Sequence, residues 1–188
     1  DLLGEEMITQ VLNDGRTPGD FITRVLEGAA DAALENAFTV LGRISLRDDA
    51  RGREWIRQAL EADAAERVMP AFRAAMSLGK ESALCPLGQV LAEALERDGK
   101  AETARRIEGE VPKDTVSLRE VGAWATDKAL QALAGKTDEE SVVERARLLN
   151  NLGRMLSALG RREEALEATR EAVEIRRALA KKRPDAFG

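Results

Sequence analysis

The sequence contains no histidine among its 188 residues. Histidine is the usual general base near neutral pH and the commonest metal ligand in proteins. Without it, serine–histidine and cysteine–histidine nucleophile pairs cannot form within this chain. An enzyme built on it would have to use Asp, Glu, Lys, Arg or Ser alone, and no pattern marks such a site. We therefore predict no catalytic residue, no metal site and no cofactor.

Cysteine is nearly absent as well, since Cys85 is the only one. One cysteine cannot form an internal disulfide or a thiolate cage, which fits a reducing compartment. Cys85 lies between Leu84 and Pro86. We interpret it as a buried structural thiol, with a reactive thiol as the alternative.

Long apolar runs are also missing. The longest uncharged stretch, residues 82–92, has 11 residues and contains Pro86 and Gly88, whereas a membrane span needs about 20 apolar residues. The chain begins at Asp1 without a charged and then apolar leader. We expect a cytoplasmic protein with no membrane contact, and a chain cut from a longer one.

Aromatic residues make up only 3% of the chain, while hydrophobic residues make up 44%. The apolar share is mostly alanine and leucine, and the period-2 alternation of strands does not occur. Such a composition is typical of helices packed through small and aliphatic side chains. The predicted fold class is all-α.

Charge is distributed unevenly along the chain, whose net charge is -5. Residues 143–188 carry a net +4 and the remainder a net -9. A basic end can indicate nucleic-acid binding. Here the basic residues alternate with glutamate and have few aromatic partners, so we interpret this end as a solvated helix surface and expect no nucleic-acid partner.

Apolar residues recur at helical spacing nearly from end to end, beginning with a predicted helix over residues 1–13. Pro18 is expected at a first helical position, and Pro70 is expected to kink or restart a helix. Capping residues mark further starts. The predicted starts are Asp48–Asp49, Asp63 with Glu66, Ser117 with Glu120, and Thr137 with Glu140.

The helical pattern changes along the chain. We predict an irregular helical region over residues 1–136 and a regular repeat over residues 137–188. A weaker pattern lies within residues 82–112 and consists of Leu84, Leu87, Gly88 and Leu91, followed by Gly99 and Ala104. That pattern is consistent with two interpretations, a degenerate repeat or a generic αα-hairpin.

The regular part has large and small residues at fixed places on two helices. Glycine inside a helix costs up to about 1 kcal/mol relative to alanine, so we expect a close helix–helix approach at Gly153. Gly160 supplies the turn. The residues that define the pattern are Leu149, Leu152, Gly153, Leu156, Ala165, Ala172 and Pro184.

These residues resemble a tetratricopeptide repeat, in which a Leu-Gly pair on the first helix meets small residues on the second and a proline ends the unit. Thr169 departs from the pattern, because the family prefers a bulky aromatic there. Pro184 lies far beyond Gly153, which implies a long second helix. The segment thus looks like the long repeats of kinesin light chains and of bacterial proteins, including the repeat regions of large signal-transducing NTPases.

The resemblance implies a right-handed α-solenoid of antiparallel helix pairs that binds a protein or peptide in a concave groove lined by the first helices. It places five exposed residues on that groove: Arg147, Asn150, Asn151, Arg154 and Ser157. An amide such as Asn151 can donate and accept at once, and Arg147 and Arg154 can pair with acidic groups. The alternatives are a solvated helix face, a structural or self-associating segment, and a histidine-independent enzyme.

Overall fold

The computed structural model describes residues 18–112 and 114–182, leaving out the side chains of residues 18–21 and of Asp98. All the regular secondary structure of these residues is α-helical, so the predicted all-α class is confirmed. The predicted helix over residues 1–13 and Pro184 lie outside the described residues. The helices are α1 (Pro18–Leu26), α2 (Asp31–Ser45), α3 (Asp49–Glu61), α4 (Ala64–Glu81), α5 (Leu87–Asp98), α6 (Ala101–Glu110), α7 (Arg119–Ala132), α8 (Glu139–Ala158) and α9 (Arg162–Lys182).

The chain divides into two compact units. Among the described residues, the N-terminal unit comprises residues 18–99 together with Val111–Val121, and the C-terminal unit comprises Lys100–Glu110 and residues 122–182. In the N-terminal unit α5 packs against α3 and α4. The boundary at residues 136 and 137 and the degenerate repeat over residues 82–112 stay predictions.

Helices α2 and α4 of the N-terminal unit run parallel to each other. Arg73 donates to Asp31 and Glu35, which precede it by 42 and 38 residues. Arg43 donates to Glu81, which follows it by 38 residues. Because residue numbers rise together along both helices, α3 must reverse the chain between them.

Helices α3 and α5 are likewise parallel, and their register is constant. Three side-chain hydrogen bonds join residues that are 36 positions apart: Arg53 to Gln89, Arg57 to Glu93, and Arg97 to Glu61. Residues 31–98 therefore form two tandem helix pairs, α2–α3 and α4–α5, stacked in register. These two stacked helix pairs lie within residues 1–136, the region that the sequence predicts to be irregular.

The core of the N-terminal unit lies between these helices. Phe38, Ile56 and Phe72 are completely buried, and each such side chain contributes about 1.5–3 kcal/mol by leaving water. Trp55 is also a core residue, with 4% of its surface exposed. Cys85 is also buried, and this burial raises the pKa of its thiol. The predicted burial of this thiol is confirmed.

Two predicted helix starts are confirmed at the atomic level. The side chain of Asp48 accepts a hydrogen bond from the backbone N–H of Arg51, and Asp63 accepts one from Glu66. Each aspartate satisfies a backbone donor that the first helical turn leaves unpaired. Pro18 is the first residue of α1, as predicted.

Two other local predictions are wrong, and a third is wrong in part. Ser117 does not cap α7, because Thr115 accepts the hydrogen bond from Leu118 and Ser117 packs against Gly79 and Gly88. The cap of α8 is Asp138 rather than Thr137, since Asp138 accepts from the N–H of Ser141. Helix α4 continues through Pro70, so no helix restarts there, and the alternative of a kink stays a prediction.

Helices α8 and α9 of the C-terminal unit form an antiparallel pair. Gly160 has a φ of 80°, a left-handed conformation that glycine adopts without strain, and it forms the turn between them. Arg145 near the start of α8 bonds to Glu171 of α9, whereas Gly153 faces Ala165 and Thr169. Residue numbers therefore fall along one helix as they rise along the other.

Candidate functional site

The contact between α8 and α9 is built from small residues. A Cβ on Gly153 would lie 2.5 Å from Thr169 Oγ1 and 3.2 Å from the carbonyl oxygen of Ala165. The expected close approach at Gly153 is thus confirmed. Thr169, which departs from the family pattern, turns its hydroxyl back to donate to the carbonyl of Ala165 at 2.7 Å.

The other pattern residues lie mainly in this interface. Leu149, Leu156, Ala165 and Ala172 are buried, whereas Leu152 is half-buried. Leu149 forms a cluster with Ala168 and Ala172, against which Leu130 and Ile175 pack. The hairpin core is therefore aliphatic, as its composition predicts.

The five predicted partner-binding residues lie together on one face of α8. Arg147, Arg154 and Ser157 are exposed, while Asn150 and Asn151 are half-buried. Their spacing of three and four places them opposite the stripe that packs against α9. The structure brings them into one polar surface, which we call the α8 face.

Arg147 is already bound at the start of the α8 face. Its guanidinium donates to both carboxylate oxygens of Glu144, at 2.8 and 2.6 Å. It also donates to both oxygens of Glu108 on α6, at 2.9 and 3.0 Å. The side chain of Glu108 is only 15% exposed, so Arg147 neutralises a carboxylate that is largely removed from water.

These contacts shift the acidities of the groups involved. The hydrogen bond from Arg147 lowers the pKa of Glu144 below its usual value. The bond to Glu144, with a further contribution from Glu108, raises the pKa of Arg147. The guanidinium of Arg147 is thus committed to two carboxylates at once.

A groove of about 770 Å³ lies beside this ion-pair cluster, at the junction of α7 and α8. Its aliphatic wall consists of Leu133 and Val143, and 38% of Val143 is exposed. Its polar lining residues are Lys136, Glu139, Glu140, Ser141 and Glu144. We call this feature the acidic groove.

Sequence reasoning missed the acidic groove and the role of Glu108. Glu144 and Arg147 are three residues apart on one helix, a spacing from which their pairing can be read. Glu108 precedes Arg147 by 39 residues, and no local pattern links residues so far apart. Within residues 18–112 and 114–182, no group of three or more His, Cys, Asp or Glu could hold a metal ion.

No helix in the described part of the chain is long and apolar enough to span a membrane. A family model for the tetratricopeptide repeat matches residues 145–185. No curated protein and no solved structure matches the chain.

The matched segment contains most of α8 and all of α9, the pair in which Gly153 meets Ala165 and Thr169. Repeats of this family generally mediate contacts between proteins. Sequence match and helix geometry together support a protein that carries a tetratricopeptide-type repeat in its C-terminal segment.

Proposed function

We propose that this chain is a scaffold for protein–protein interaction whose α8 face binds a peptide or partner domain. The α8 face supports this proposal because it places two half-buried amides, Asn150 and Asn151, beside the exposed Arg154 and Ser157. An amide offers a donor and an acceptor in fixed directions, which suits the backbone of an extended peptide. Half-burial restrains both amides before a partner arrives, which lowers the entropy lost on binding.

The proposal also covers the kind of protein to which the repeat belongs. The long α9 helix, with 21 residues, agrees with the long repeats of kinesin light chains and bacterial proteins. We infer a cytoplasmic regulatory protein, of which this chain is the repeat-containing part. The region before residue 137 would then position the repeat rather than catalyse a reaction.

Substitution on the α8 face tests the binding proposal. A peptide is first selected from a random library against the wild-type chain, and its Kd is measured by calorimetry. We expect Asn151→Ala with Arg154→Glu to weaken binding at least about tenfold, since a handful of residues usually carries the binding energy. Arg170→Glu on α9 makes the same charge change away from the face and should leave the Kd unchanged.

The single variant Asn151→Ala removes one amide without changing any charge, so it tests the α8 face with less risk of a folding defect. Circular dichroism should show unchanged helix content in every variant. If peptides bind the double variant as tightly as the wild type, the α8 face is not the binding surface and the proposal fails.

Self-association is a second candidate function, which exposed apolar residues on α9 favour. Leu166 is 50% exposed and Val173 is 39% exposed, and their spacing of seven places them on one face. Every acidic residue of α9 lies at or before Glu174, and four basic residues follow it. An antiparallel pair of α9 helices would match opposite charges. Sedimentation of the wild type and of Leu166→Glu would test it, because a dimer should dissociate in the variant.

A further inference from the structure

The acidic groove is separate from the α8 face. It begins at the C-terminal end of α7, crosses the turn that contains Lys136, and continues along the first two turns of α8. None of the described residues of α9 lines it. The basic end of α9 therefore does not fill the groove.

Three carboxylates and one ammonium line the acidic groove, which gives its lining a net charge of -2. Glu139 and Glu140 belong to the first turn of α8, the end of a helix at which acidic side chains interact favourably with the helix dipole. Glu144 stays charged because Arg147 lowers its pKa. Arg147 balances the charge of Glu144, so the excess negative charge of the lining comes from Glu139 and Glu140 against Lys136.

The aliphatic wall limits which cation can occupy this space. Val143 and Leu133 present apolar surface next to the carboxylates, and 38% of Val143 is exposed although it belongs to a helix that packs on its other side. A small inorganic cation would leave this surface in contact with water. A side chain with an aliphatic stem and a charged head covers both parts at once.

The hydrogen bonds that Arg147 already makes disfavour the acidic partner that the sequence alone suggests for this end of α8. Both carboxylate oxygens of Glu108 and both of Glu144 already accept hydrogen bonds from Arg147. An incoming carboxylate would have to displace one of them and would approach a second negative charge. Charge complementarity favours a cationic partner instead.

We propose that the acidic groove is a second docking surface, whose occupant is a partner segment that presents lysine or arginine next to an aliphatic side chain. The cationic head pairs with Glu140, and the aliphatic neighbour covers Val143 and Leu133. This surface is distinct from the α8 face, so one chain can hold a partner at two adjacent sites. Binding at two linked sites raises the overall affinity without new contacts.

Fluorescence anisotropy with a short labelled peptide of lysine and leucine tests this proposal on the full chain. We expect Glu140→Lys with Val143→Ser to weaken binding about tenfold, because one ion pair and one aliphatic contact are lost. The matched control is Glu27→Lys with Val25→Ser, at the end of α1 in the N-terminal unit. Val25 is 58% exposed, more than Val143, and the control should bind like the wild type.

Three results would overturn the proposal: no binding of the lysine–leucine peptide to the wild type, an equal loss in the control, or equally tight binding of a glutamate–leucine peptide. The variant Asn151→Ala with Arg154→Glu separates the two surfaces. It should retain the lysine–leucine peptide, and loss of the peptide there with retention in Glu140→Lys/Val143→Ser would place the peptide on the α8 face.

Discussion

Gly153 has a low helix propensity, yet it stabilises the hairpin that α8 forms with α9. Glycine inside a helix is unfavourable by up to about 1 kcal/mol relative to alanine. At this position the missing Cβ lets the backbone of α8 approach Thr169 and Ala165 of α9. Close approach brings more aliphatic surface into contact, and dispersion between the two helices offsets the propensity loss.

We predict that Gly153→Ala lowers the free energy of unfolding by about 1–3 kcal/mol, the usual cost of overpacking a tight contact. Urea denaturation followed by circular dichroism measures it. Thr169→Ala should restore part of the loss, since it removes the nearer of the two obstructing atoms. Gly109→Ala is the control, because Gly109 has no such atom within 4 Å. Equal stability of Gly153→Ala and wild type would contradict the prediction.

Arg147 has a structural role besides the binding role that its exposure suggests. It joins α6 to α8 through Glu108 and neutralises Glu144 within its own helix. The arginine side chain is 44% exposed, so solvent screens part of these interactions. A partner on the α8 face would meet an arginine that is already fixed in place.

We predict that Arg147→Met destabilises the chain by about 1 kcal/mol at neutral pH, in the range of a partly exposed ion-pair network. The pKa of Glu144 should rise toward its ordinary value. Because Arg147 lowers that pKa in the folded chain, its stabilising effect is full above the ordinary glutamate pKa and is lost as pH falls through the lowered value. Urea titrations over acidic pH would therefore show the wild type and Arg147→Met converging, and a constant gap would contradict the mechanism.

At the scale of helices, local capping signals predict two helix starts correctly and two incorrectly, for different reasons. Asp48 and Asp63 cap the helices that the sequence assigns to them. Ser117 has the same local signal, but it packs against two glycines of other helices, which a local pattern does not contain. Thr137 and Asp138 are adjacent residues that can both cap a helix. Asp138, which is preferred over threonine at this position, caps α8.

The cap of α8 can be tested by two neighbouring substitutions. We predict that Asp138→Ala lowers Tm, because the N–H of Ser141 loses its acceptor, whereas Thr137→Ala leaves Tm unchanged. Asp138→Asn should keep most of the stability, since asparagine caps about as well as aspartate. Thermal unfolding followed by circular dichroism measures the Tm of each variant. A larger decrease in Tm for Thr137→Ala than for Asp138→Ala would mean that Thr137 caps α8, as the sequence predicts.

The tandem register of the N-terminal unit shows what a single sequence does not reveal. The three pairs joining α3 to α5 are arginine with glutamine, arginine with glutamate, and glutamate with arginine. Equivalent positions therefore carry different residues, and the last pair reverses the charges. Stacking needs complementary partners rather than identical residues, so the order is visible only in three dimensions. The C-terminal hairpin was predictable because its small residues must recur at fixed places.

At the scale of the whole molecule, burial is distributed very unevenly among the helices. Nine of the 18 residues of α4 are buried, whereas only four of the 21 residues of α9 are. Helix α4 contacts α2, α3 and α5, while the main partner of α9 is α8. In helical arrays each element is stabilised mainly by its neighbours, so the two helices should differ in local stability.

We predict that backbone amides of α4 exchange with deuterium slowest and those of α9 much faster, because opening α9 exposes far less apolar surface. Mass spectrometry of peptides from the intact chain measures both helices in one experiment. Gly153→Ala should accelerate exchange further in α8 and α9, since it weakens the contact on which α9 depends. Protection of α9 equal to that of α4 would mean that a further surface covers α9 in solution. A concentration dependence of that protection would identify this surface as a second copy of the chain, through Leu166 and Val173.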